Sequence, residues 1–113
     1  MAKGASQSRS GHAKEPMTRL PTHPGEHIVV ELEELNMSAT QVAKQLGIPA
    51  NRLTEIIRGR RGVTADTAFR LAAFLGATPE FWMNLQRNYE LKTAEREHGE
   101  EIRNTVRRHD AVA

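Results

Sequence analysis

Residues 38–61, SATQVAKQLGIPANRLTEIIRGRR, restrict the fold of this chain more than any other stretch. They divide at Gly47 into two short segments of helical period. Ser38 and Gln41 make a Ser-x-x-Gln capping box, which satisfies two backbone N–H groups where a helix begins. Val42, Ala43 and Leu46 then share one face, while Thr40, Lys44 and Gln45 point away from it. Gly47 supplies the left-handed residue that closes the first helix, and Pro49 suits the opening of the next. The second helix, about 50–58, turns Leu53, Ile56 and Ile57 inward, with Ile48 under the turn. Its opposite side carries Asn51, Arg52, Thr54, Glu55 and Arg58, and Gly59-Arg60-Arg61-Gly62 follows. A short polar helix on an apolar support, flanked by arginines, has the form of a helix-turn-helix that enters the DNA major groove.

The rest of the chain reads as helices built around this pair. A helix over about 25–35 follows Pro21, Pro24 and Gly25, with Ile28, Leu32 and Leu35 as its stripe; Asn36 and Met37 make the link. Thr64 caps a helix over 65–75, where Ala68, Leu71, Ala72 and Leu75 repeat at helical spacing and Phe69 and Phe74 widen the face. Gly76 ends it. Thr78 caps a last helix, about 79–97, opened by Pro79 and the dipole-compatible Glu80. Residues 1–22 are rich in Ser, Gly, Pro, Lys and Arg and are expected to be a disordered basic tail. Residues 99–113 are strongly charged and are expected to fray. The domain proper is therefore placed at 23–98.

With 113 residues the chain has room for one small domain and tails. It has no cysteine, which excludes disulfides and thiolate metal sites and favours an intracellular location. Its apolar runs are short, so no transmembrane segment is expected, and residues 1–16 lack the apolar middle of a secretory signal. The net charge of +2 hides an asymmetry. Residues 1–23 carry +3, from four Lys/Arg and one acid, whereas residues 24–98 carry −1, from nine and ten. Glu31, Glu33 and Glu34 crowd the first helix, and Lys44, Arg52, Arg58, Arg60 and Arg61 crowd the motif. A local basic patch of that kind is the electrostatic footprint of DNA binding.

Enzymatic readings find little support. The five histidines, at 12, 23, 27, 98 and 109, have no cysteine partners, and no metal site is expected. Glu33 and Glu34 are neighbours and cannot converge on one side of a helix. There is no Gly-x-Ser-x-Gly elbow, and Gly59–Gly62 lacks the length and the Lys-Ser/Thr of a phosphate-cradling loop. Neither catalytic residues nor a cofactor are expected.

Base reading falls to the start of the second motif helix. Asn51 can pair with adenine through two hydrogen bonds, Arg52 can reach guanine or a phosphate, and Ala50 or Thr54 can touch a thymine methyl. Glu55 can accept from cytosine N4 or repel phosphate. Lys44, Arg58, Arg60 and Arg61, with the free amides near Ser38, Ala39 and Thr40, are placed for phosphates. On the last helix Phe81, Trp82, Met83, Leu85 and Tyr89 exceed what so small a core obviously absorbs. They are candidates for a dimer interface; for Trp82, closing the core is an equal alternative.

Five helices with caps at these spacings resemble the xenobiotic-response-element (XRE) family of helix-turn-helix domains, which includes phage repressors. HPGEHI at 23–28 and SATQVAKQLGIPANRLTEIIRGRRGVTADTAFRLAAFLGATPEFWMNLQ at 38–86 are, more narrowly, similar to the HigA/VapI group of antitoxins from bacterial toxin–antitoxin modules. The ending TPEFWMNLQ is the most specific part, and the likeness covers about residues 23–95. It implies an all-α, five-helix, lambda-repressor-like domain in a cytoplasmic homodimer. Such a dimer binds a palindromic operator in double-stranded DNA, represses its own operon, and neutralises a ribonuclease toxin of the HigB/RelE type. The long N-terminal segment departs from the compact members of the group. Two other readings stay open on the sequence: a stand-alone regulator without a toxin, and a scaffold used only for protein contacts.

Overall fold

The computed structural model describes residues 22–109 and contains five α-helices in that span. They are α1 (Pro24–Leu35), α2 (Ala39–Leu46), α3 (Ala50–Ile57), α4 (Ala65–Leu75) and α5 (Pro79–Thr105). The all-α expectation holds, and four of the helices fall within a residue of their expected bounds. Of the expected tail at 1–22, all but Thr22 lies outside the described residues, as do residues 110–113.

Each helix end has a local cause. Ser38 and Gln41 close the reciprocal box, Thr64 accepts from Thr67 N–H, and Thr78 accepts from Phe81 N–H. Gly47, at φ 76°, ends α2 while Ile48 N–H returns to the Ala43 carbonyl at 3.1 Å. Gly59, at φ 78°, ends α3 in the same way, with Arg60 N–H on the Glu55 carbonyl at 2.9 Å. Asn36, at φ 58°, does this for α1 without a glycine.

The core is Ile28, Val42, Ala43, Leu46, Ile48, Leu53, Ile56, Val63, Ala68, Leu71 and Trp82. Helices α2 and α3 pack on each other; α1 packs on α3, α4 on α2, and α5 lies across α4 and α1. Gly25 is what lets α1 descend onto α3, since a Cβ there would stand 2.2 Å from the Ile56 carbonyl oxygen.

Several expectations need correction. Trp82 is only 1% exposed in a single chain, so it closes the core and is not available to a partner. Phe69 is 65% exposed and does not widen the buried face of α4, because it points away from Ala68 and Leu71. Leu35, the last residue of α1, is 42% exposed and lies outside the buried stripe. The last helix does not stop near 97 but runs on to Thr105, with Gly99 inside it. Arg103 reaches back over that glycine to the Glu95 carboxylate at 2.9 and 3.0 Å.

Candidate nucleic-acid interface

Helix α3 owes its position to Leu53 and Ile56, both fully buried, and to Ile57, which packs partly against the same core. That leaves the opposite side of the helix outward. Asn51 is exposed there, Ala50, Thr54 and Glu55 are half-buried, and Arg58, Arg60 and Arg61 are exposed just beyond the helix end. Lys44 is exposed on α2. The apolar-underneath, polar-above arrangement is therefore present among the described residues.

Two site residues are engaged within the chain. The Ser38 N–H donates to Gln41 Oε1 at 2.8 Å, and the Gln41 N–H donates to Ser38 Oγ at 3.1 Å. The helix-start amides that still lack an intrahelical partner are consequently those of Ala39 and Thr40. Arg52 is not free either: its Nη1 lies 3.5 Å from Asp66 Oδ2. The same oxygen accepts from Arg70 Nε at 2.9 Å, and Arg70 Nη1 donates to the Leu46 carbonyl at 2.9 Å.

Gln86 was not foreseen. It is buried, and its Oε1 accepts from Val63 N–H at 2.7 Å, while its Nε2 donates to Glu90 at 2.7 Å. It thereby pins the loop that follows Arg60 and Arg61, and Gly62 makes room, since a Cβ there would lie 2.8 Å from Nε2. The available signal was a glutamine one turn after Trp82, a polar residue on an apolar stripe. His23 was also missed. Its Nδ1 accepts from Gly25 N–H at 2.9 Å, capping α1, and its ring meets Tyr89 edge-on at 4.7 Å. Burial lowers its pKa, opposed more weakly by nearby Glu26 and by a hydrogen bond to the Arg61 backbone.

The other dimer-interface candidates divide by exposure. Phe81 and Met83 are 40% and 36% exposed, whereas Leu85 and Tyr89 are half-buried, Leu85 against the core and Tyr89 against His23. His23 and His27 stand four residues apart, a metal-pair spacing. His23, however, spends Nδ1 on its cap, and no group of three or more His, Cys, Asp or Glu among the described residues is placed to hold a metal ion. No helix of the described residues is long and apolar enough to cross a membrane.

Residues 31–82 match the helix-turn-helix family. Virulence-associated protein I of Dichelobacter nodosus is 43% identical over 76 residues, covering 66% of this chain and 70% of that one. Among solved structures, an addiction module antidote protein of the HigA family from Coxiella burnetii is 51% identical, with a TM-score of 0.76 over 80% of this chain and all of its own. The Pseudomonas aeruginosa antitoxin HigA, solved with the higBA promoter, is 36% identical, with a TM-score of 0.75 over 80% of this chain and 99% of its own.

Proposed function

The chain belongs to the helix-turn-helix family, among its HigA-type antitoxins, and from that premise we propose that it is a DNA-binding antitoxin that represses its own operon. In this reading two copies bind a palindromic operator, and the same protein neutralises a ribonuclease toxin by direct contact. The observation that carries the DNA-binding part is α3 itself. Leu53 and Ile56 fix it against the core, so Asn51 and its neighbours can enter a groove without the helix having to be ordered first.

Within that reading Asn51 pairs with adenine, Ala50 and Thr54 lie against thymine methyls, and Glu55 faces cytosine. Lys44, Arg58, Arg60, Arg61 and the Ala39 and Thr40 amides take phosphates and set the register. If the four cations engage in both halves of a dimer, log K should fall with log salt at a slope of about −7. Asn51→Ala should weaken operator binding by about 1–3 kcal/mol and leave that slope unchanged. Titrations of DNA from upstream of the chain's own reading frame, at several salt concentrations, test both statements. A flat salt dependence would remove the DNA-binding reading. Toxin neutralisation has a separate test: expression of the chain must restore growth to cells producing the ribonuclease encoded beside it.

A further inference from the structure

We propose that Asp66 is a positioning residue for base reading, which holds the Arg52 guanidinium at the rim of the recognition face. The inference rests on the reading above that this face meets DNA. Asp66 lies in the first turn of α4, whose Thr64 cap and positive helix end suit a carboxylate. One turn later Arg70 donates Nε to Asp66 Oδ2 at 2.9 Å. Arg70 is anchored in turn, its Nη1 donating at 2.9 Å to the Leu46 carbonyl, one of the orphan acceptors at the end of α2. Gly47 leaves the space for this: a Cβ there would come within 3.0 Å of Arg70 Nη1. The Leu46 carbonyl, Arg70, Asp66 and Arg52 thus form one line from the end of α2, through α4, to the recognition helix.

Exposed ion pairs add little to stability, so the value of this line lies in geometry. An unheld arginine must give up several rotatable bonds when it meets a base. Arg52 is already directed by Asp66, and the donors of its fork that do not face the carboxylate remain available to a base edge or a phosphate. Asp66 also carries a negative charge beside a DNA-facing surface, which disfavours phosphates of any sequence. Removing that charge should accordingly weaken operator binding without weakening the binding of unrelated sequence, a pattern that a merely structural residue would not produce.

The test uses the full chain with two duplexes, one from upstream of its own reading frame and one of scrambled sequence. Asp66→Asn should bind the first about ten-fold more weakly and the second equally or more tightly. Asp66→Glu should recover part of the loss. Adding Arg52→Ala to Asp66→Asn should cost much less than Arg52→Ala costs alone, since both act through one guanidinium. The proposal is overturned if Asp66→Asn retains the wild-type preference, weakens both duplexes alike, or adds fully to Arg52→Ala. A wild-type chain with no preference between the duplexes would instead remove the operator reading, and this inference with it.

Discussion

His23 ties together the start of α1, the Tyr89 ring on α5 and the backbone of Arg61 beside the proposed phosphate contacts. Its Nδ1 serves as the cap acceptor only while it is unprotonated. Burial lowers its pKa below the ordinary 6.5, so the unfolded chain takes up the proton first as pH falls. Stability from this residue is therefore complete above about pH 7 and is lost as pH falls from 6.5 through the lower folded value. Urea midpoints of the wild type should drop between about pH 7 and pH 5 by more than those of His23→Asn, which keeps a capping side chain but does not titrate. Equal pH slopes for the two proteins would contradict the role. In sequence His23 gave no sign of this, because a cap acceptor and a loop histidine look alike before α5 is laid beside them. Asp66 and Arg70 were hidden for the same reason: their i,i+4 spacing is visible, but the Leu46 carbonyl that anchors them is 24 residues away. Asn51, Leu53 and Ile56 were legible because one amphipathic helix decides which side each takes.

Among the helices, α2 and α4 could be bounded from sequence because each has both a capping side chain and a terminal glycine. Helix α5 has the cap but no such stop. Gly99 lies within it, but a glycine inside a helix costs only about 1 kcal/mol, and the Glu, Ile and Arg that follow sustain the helix. The glycine also gives Glu95 room, since a Cβ at 99 would lie 2.7 Å from its carboxylate. That carboxylate is the end of a flexible exposed side chain, and its bridge to Arg103 is worth about 0–1 kcal/mol at most. Backbone propensity should win. Gly99→Ala is expected to raise helicity by circular dichroism and to stabilise α5 by up to about 1 kcal/mol. A fall in helicity would mean that the Glu95–Arg103 bridge holds the last turns together.

At the scale of the whole molecule, burial narrows the surface that two copies could use. Trp82 belongs to the core, so Trp82→Ala should cost about 3–5 kcal/mol of folding stability and is a poor probe of association. Phe81 and Met83 remain outward on the first turns of α5, and they are the better candidates for the proposed two-fold contact. Replacing both by serine should leave the fold intact while shifting sedimentation at micromolar concentration from dimer toward monomer. Geometry then makes a demand on the DNA. Rigid recognition helices related by a two-fold axis reach half-sites about one turn, roughly 34 Å, apart on one side of the duplex. Inserting about five base pairs between the half-sites turns one to the far side, whereas inserting about ten restores the face at a longer distance. The half-turn insertion should reduce binding to that of a single half-site, matching what the Phe81→Ser, Met83→Ser protein shows on the unaltered operator. If instead the wild type binds the interrupted operator as tightly as the intact one, the two copies are not rigidly joined, and the α5 contact is not what sets operator spacing.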